Sequence, residues 1–243
     1  MKNNQRTLVI IVLLILAAAF LFYLARKRSP EPKPQPPPSI IGLPEMKEKP
    51  KPRLIICKGW APEGDGGDPA LNRLKNRVEE GEYIPVAFEA ILQLDWPKEI
   101  ERKDRNKWSS SNTATVERYE GIPVAVEGYL AQSKLEGPES PNCHGADSEF
   151  RDFHIWLVKE PNADRNQSIV VETTPRVRAN HPAWTTNGLG KIAKDDERVR
   201  ISGWLLLDPE HPDQVGKTRG TIWEIHPIMK IEVERNGRWT TLE

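Results

Sequence analysis

Between residues 122 and 234 apolar and polar side chains alternate in five short runs. That two-residue period is the mark of strands, whose successive side chains point to opposite faces. The runs predict strands over 122–132, 150–159, 168–173, 198–207 and 221–234. In "DFHIWLV", residues 152–158, Phe153, Ile155 and Leu157 take one face while Asp152, His154 and Trp156 take the other. Sorted in the same way, Val124, Val126, Ile169, Val171, Val199, Ile201, Leu205, Leu207, Ile225, Met229 and Ile231 point inward with them. The outward set is Glu127, Tyr129, Asp152, His154, Trp156, Glu172, Arg200, Trp204, Glu224 and His226. Between the third and fourth runs, "HPAWTTNGLGKIAKDDE" has room for a helix. Five strands with a helix after the third is the order of an OB-type barrel. The expected fold is therefore mainly β with some helix, an OB-like five-stranded barrel over residues 122–243.

Upstream the pattern changes. "GDPALNRLKNRVEEG" predicts a helix with Asp68 as its cap, Pro69 in the first turn, a stripe of Leu71, Leu74 and Val78, and Gly81 as its stop. "YIPVAFEAILQLDWP" is apolar but broken by Pro85 and Pro97, and periodicity does not separate strand from short helix there. The charged, Ser/Thr-rich stretch after it reads as a surface loop or a frayed helix. Residues 54–121 thus form a helix-containing extension of the domain.

The chain begins with a tail, residues 1–7, followed by eighteen uncharged residues from Leu8 to Ala25, "LVIIVLLILAAAFLFYLA". At about 1.5 Å rise per residue this run nearly crosses a hydrocarbon layer of about 30 Å, which predicts an N-terminal transmembrane helix held in lipid. A cleaved signal peptide is the alternative, with Lys2 and Arg6 before the run and Ala17, Ala18 and Ala19 as a small-residue cleavage site. The apolar run is longer than such a signal needs, which favours an uncleaved, single-pass anchor. Basic residues flank it on both sides, so orientation is nearly balanced. The expectation is a short cytoplasmic tail and an extracytoplasmic domain. Residues 26–53 are Pro-rich, an extended spacer.

Four stretches, "DFHIWLV", "SIVVETTPR", "VRISGWLLLDPEHP" and "TIWEIHPIMKIEV", resemble a group of largely uncharacterised bacterial proteins with an OB-like β-barrel domain. The resemblance spans about half the chain. It implies the fold and supplies neither an activity nor catalytic residues.

Charge narrows the partners. The zero net charge hides +7 over residues 1–53 and −7 over residues 54–243. The basic part suits anionic headgroups, whereas the acidic domain repels a phosphate backbone, which makes nucleic acid an unfavoured partner.

The outward face carries the candidate chemistry. Tyr129, Asp152, His154, Trp156, Glu172, Trp204, Glu224 and His226 gather acids, imidazoles and aromatics on one surface. The first expectation is an exposed binding face for a protein or small ligand of cationic or neutral character, with no cofactor required. The second is a metal-dependent hydrolase. His154, Glu172 and His226, from three strands, would form a zinc or iron set, with Asp152 or Glu224 orienting an imidazole. No short ligand spacing supports it, so it depends on how the strands pair. The third is an OB-type nucleic-acid binder, opposed by the charge. Trp156 and Trp204 are either a binding platform or buried under the N-terminal extension. His181, His211 and His226 each precede proline, which favours structural roles for them. Cys57 and Cys143 are the only cysteines and would permit one disulfide in an oxidising compartment. The Cys143–His144 pair lacks an orienting group, and "GDGGDP" at 64–69 lacks the strand and Lys-Ser/Thr pair of a phosphate cradle.

Overall fold

In the computed structural model, which describes residues 61–243, the alternating runs are strands that close on themselves. Five of them, β2 (Pro123–Leu135), β3 (Phe153–Val158), β4 (Ile169–Thr173), β5 (Arg198–Leu207) and β6 (Trp223–Arg235), pair in the circular order β2-β3-β4-β6-β5-β2. Only the β4–β6 pairing is parallel; the other four are antiparallel. Closure depends on the length of β2. Its first half pairs with β5, from Pro123↔Trp204 to Tyr129↔Arg198, and its second half with β3, from Tyr129↔Val158 to Leu135↔Phe153. The result is a closed five-stranded barrel, compatible with the OB-like order expected from the sequence. Two short strands extend it: β1 (Ile84–Pro85) lies parallel to β2, and β7 (Arg238–Thr241) forms a hairpin with β6.

The inward set is confirmed as the core. All fourteen inward residues named above belong to one buried cluster, with Ile155, Leu157, Ile169, Val171, Ile201 and Ile231 fully covered. Outside the barrel are the helices α1 (Pro69–Lys75), α2 (Phe88–Leu92), α3 (Ser110–Glu117), α4 (Pro175–Arg178) and α5 (Thr186–Lys194). Helix α5, between the third and fourth barrel strands, presses Leu189 and Ile192 into the core against β2. Phe88 and Ile91 of α2 and Val116 of α3 join the same core, so the extension before residue 122 is built onto the barrel.

Helix α1 departs from its expected length. Asp68 caps it, accepting from the Ala70 and Leu71 amides, but the helix ends at Asn76 rather than at Gly81. Asn76 leaves the helix to serve tertiary contacts, donating to the carbonyls of Pro62 and Pro141. The undecided stretch after it divides into β1 and α2.

No helix among the described residues is long and apolar enough to cross a membrane. The expected anchor at 8–25, the spacer at 26–53 and Cys57 lie outside the described residues. Cys143 is half-buried, in a left-handed backbone conformation.

Candidate metal centre

Strand register decides which outward residues meet. The β3–β4 pairing sets His154 opposite Glu172. The parallel β4–β6 pairing aligns Val170 with Glu224 and Val171 with Ile225, so the next step along both strands brings Glu172 beside His226. Asp152, just before β3, completes the group. His154 Nδ1 lies 2.8 Å from Glu172 Oε1 and 3.0 Å from Glu136 Oε1. On the other side of the same carboxylate, His226 Nδ1 lies 3.3 Å from Glu172 Oε2, and His226 Nε2 lies 3.7 Å from Asp152 Oδ2. Two donor sets therefore share Glu172: Glu136, His154 and Glu172, and Asp152, Glu172 and His226, the donor atoms of each lying within 4.8 Å of one another.

The expectation of an exposed face is corrected here. Asp152, His154, Trp156, Glu172, Trp204, Glu224 and His226 are all buried, Asp152 and His226 completely. The reason is the cover. Helix α1 lies against β6 and the 140–142 turn, so the extension and the β2–β3 loop roof the polar face. Asn72 and Asn76 of α1 bond to Ser140 and Pro141 and close the seam.

The roof brings charges of its own. Lys75, at the end of α1, is buried; burial opposes its charge, but Glu139, Asp208, Glu172 and Glu224 outweigh it and raise its affinity for the proton. Arg219, also buried, donates to Glu224 Oε1 at 2.8 Å and to Asp208 Oδ2 at 3.2 Å. Asp208 accepts in addition from His211 Nδ1 at 2.6 Å, with the His211 side chain 44% exposed. Arg176 donates to Asn76 and to Asn142 Oδ1, and Asn142 Nδ2 in turn donates to Asp152 Oδ1 at 2.9 Å. One oxygen of Asp152 is thereby fixed while the other, Oδ2, has no hydrogen-bond partner.

The balance of charge is negative. Asp152, Glu172, Asp208, Glu224 and the half-buried Glu139 face Lys75, Arg176 and Arg219, leaving two formal negative charges before any histidine takes a proton. The titrations follow. Burial would lower His154, but Glu136 and Glu172 lift it to about 9. Burial also opposes a charged His226, yet Glu224 and Glu172 raise it. Burial pushes Glu139 up to about 7 against the pull of Lys75, and raises Asp152 as well. Burial alone would raise Glu172, but both imidazoles outweigh it and hold its carboxyl below the usual carboxylate range.

His154, Glu172 and His226, expected as one metal set, are neighbours but not one set: Glu172 lies between the two imidazoles, and each imidazole belongs to a different donor group. His154 Nδ1 is within hydrogen-bonding distance of two carboxylates and holds Glu172 in place. The atoms left over are those of Asp152 and His226: Asp152 Oδ2 and both ring nitrogens of His226 are buried without a hydrogen bond. Their spacing is informative. Two donors bound to one cation at about 2.0–2.1 Å stand roughly 3.0–3.4 Å apart. The 3.3 Å between His226 Nδ1 and Glu172 Oε2 falls at that spacing; the 3.7 Å to Asp152 Oδ2 is measured from Nε2, so a single ion, which uses one of the two nitrogens, takes one carboxylate at that spacing and draws the other from within the 4.8 Å spread of the set. Glu224 Oε2, 3.8 Å from His226 Nδ1, stands at the edge of the group.

The remaining expected residues fall elsewhere. Tyr129 is half-buried, opposite Arg198 of β5, and takes no part in these ion pairs. Glu127 and Arg200 belong to a charged ladder on β2, β5 and β6, where Glu127 accepts from both Arg198 and Arg200. Trp204 is covered by residues 77–81: the Arg77 guanidinium lies 3.5 Å from its ring, and its Nε1 donates to the Glu79 carbonyl. Burial under the extension, not a binding platform, accounts for it. Trp156 packs its ring 4.4 Å from His154 with the Arg165 guanidinium 4.8 Å away. Of the histidines before proline, His181 stacks on Trp184 and His211 holds Asp208, as structural roles require, whereas His226 enters the polar cluster.

Glu136, Asn142, Asp208, Arg219 and Lys75 were not legible as site residues. Only Lys75 carried a signal. It shares the Leu71, Leu74, Val78 stripe, one helical turn beyond Leu71, and so had to face inward with it. The others sit in loops without a period. Compared with family models and with curated proteins, the chain finds no match, and its reading rests on this geometry.

Proposed function

We propose that the chain is an OB-like binding module, tethered to a membrane by its N-terminal run, whose ligand is a divalent transition-metal cation held by Asp152, Glu172 and His226. The observation that carries this is His226, fully buried with neither ring nitrogen hydrogen-bonded and with a carboxylate beside each nitrogen, one donor atom from each of the three residues lying within 4.8 Å of the others. A buried polar atom without a partner costs about 1–3 kcal/mol, a penalty a bound cation removes. The excess of buried carboxyl groups over basic side chains around it favours a cation. One imidazole with two carboxylates suits Zn²⁺, Mn²⁺ or Fe²⁺ over softer ions. Asn142 on Asp152 and His154 on Glu172 orient the ligands, as such shells do. The position agrees with the scaffold, since OB barrels bind on their second and third strands, here β3 and β4, and on flanking loops.

The test is metal content. Full-length chain equilibrated with Zn²⁺ or Mn²⁺ and freed of excess ion is expected to retain stoichiometric metal, and His226→Ala or Asp152→Asn to lose it, with affinity down at least about 10–100-fold. Wild-type chain that retains none would overturn the reading.

A metal-dependent hydrolase is the second reading, favoured by the number of ligands. Closed structural sites use four protein ligands, whereas three leave a position for water. A bound cation lowers the pKa of such a water and makes it a nucleophile at neutral pH. Metal-loaded chain should then cleave bis(p-nitrophenyl) phosphate or p-nitrophenyl acetate faster than His226→Ala. Equal rates would eliminate hydrolysis of these esters and leave cation binding.

A further inference from the structure

We infer that the site takes two cations, with the Glu172 carboxylate bridging them and Glu136 and His154 holding the second. This rests on the cation-binding reading above. The two oxygens of Glu172 face different imidazoles: Oε1 is 2.8 Å from His154 Nδ1, and Oε2 is 3.3 Å from His226 Nδ1. A carboxylate that offers one oxygen to each of two ions holds them about 3.5–4 Å apart, the separation of two-metal sites.

The second donor set is formed independently of the first. Glu136 Oε1 lies 3.0 Å from the same His154 nitrogen, so Nδ1 and two carboxylate oxygens converge on one point. With only the first ion bound, Nδ1 carries one proton aimed between two anions at once and orients Glu172; the second ion would displace that proton to solvent and take its place. An ion with several coordination positions satisfies all three atoms, where one hydrogen must divide itself. The His154 ring is buried against Trp156, and its Nε2 has no hydrogen-bond partner, so its polar contacts are those at Nδ1. Glu136 adds a carboxylate to the cluster beyond those counted around the first ion. Lys134, whose Nζ sits 2.7 Å from Glu136 Oε1, is 47% exposed and can exchange that contact for water. This set is the nearer to solvent, because Glu136 keeps 18% of its side-chain surface exposed while Asp152 and His226 keep none. Two bridged ions with a half-open side suit a phosphate ester, whose oxygens span such a pair.

Mn²⁺ distinguishes the outcomes, read by metal analysis and electron paramagnetic resonance on the full-length chain. Two Mn²⁺ per chain are expected, with the narrowed hyperfine spacing of an exchange-coupled pair. Glu136→Gln should bind one, with the six-line signal of an isolated ion, and should still fold because Glu136 is at the rim. One Mn²⁺ in the wild-type chain would overturn the second ion and leave the first. None would overturn both. Two ions in the wild type and two in Glu136→Gln would overturn the assignment of Glu136.

Discussion

A single lysine shows how much charge the barrel face conceals. Lys75 is the last residue of a seven-residue helix, yet it is buried among Glu139, Asp208, Glu172 and Glu224. Removing one partner from a buried ionic group leaves the others uncompensated and costs about 3–5 kcal/mol. Lys75→Met keeps most of the volume and deletes only the charge. It is expected to lower the melting temperature of the metal-free chain by roughly 10 °C, at about 2–4 °C per kcal/mol for a domain of this size. Saturating Mn²⁺ should recover part of the loss, since ligand at a hundredfold excess over its Kd adds about 2.7 kcal/mol. Calorimetry with and without the ion checks both statements. A variant as stable as the wild type would show that the acids do not depend on Lys75.

The strands were the most legible elements, because a period of two along a chain is a statement about faces. Ile155, Ile201 and Ile231 were placed inward by alternation alone and are fully buried. The strand ends were less legible: β2 runs on to Leu135, past its expected end at 132, and β7 follows a hairpin turn that no periodic run announced. The bends that let these long strands close the barrel depend on close approaches. The β5–β6 register shifts on both sides of Gly203, and a Cβ there would stand 2.3 Å from the Pro227 carbonyl oxygen and 2.6 Å from Ile225 Cγ2. Neither neighbour is the free end of a flexible chain. Gly203→Ala should therefore destabilise by more than about 2 kcal/mol, by the cost of overpacking, and denaturant unfolding would measure it. An unchanged midpoint would mean that β6 shifts freely, which its pairing to both β4 and β5 opposes.

At the scale of the whole molecule the polar cluster sets how stability responds to pH. His154 is raised to about 9 and Glu139 to about 7, both above their unfolded values. Between the unfolded value of Glu139 and the folded value of His154, the native chain holds more protons than the unfolded one, so stability falls as pH rises through that window. His154 contributes fully below its unfolded value of 6.5 and loses that contribution as pH passes through about 9. Glu172 and Asp208 are shifted the other way, and their contribution is lost as pH falls below the ordinary carboxylate range. The metal-free chain is expected to be most stable near about pH 4.5, where the two opposing sets of shifts meet, and to melt several degrees lower near pH 8.5, since a tenfold difference in proton affinity between folded and unfolded chain is worth about 1.4 kcal/mol at most. A bound cation takes the place of those protons, so Mn²⁺ should flatten or reverse the decline. A melting temperature that rises steadily from pH 6 to 8.5 without metal would contradict the proton count.

The sequence by itself determined the barrel's inside, since alternation assigns each strand residue to a face and the greasy face has only one place to go. It also placed acids, imidazoles and aromatics on the side of the strands turned away from the core, though Tyr129, Glu127, Arg200 and Trp204 lie apart from the His154, Glu172 and His226 cluster. What lies over that face, and therefore whether His154, Glu172 and His226 meet water or one another, was decided by tertiary structure. The parallel pairing of β4 with β6 placed Glu172 beside His226, and α1 with the β2–β3 loop sealed them in and supplied Lys75 and Asn142. No local period encodes such contacts, because Lys75, Glu136, Asp208 and Arg219 come from a helix end and from loops far apart in the chain, and only closure of the barrel makes them neighbours.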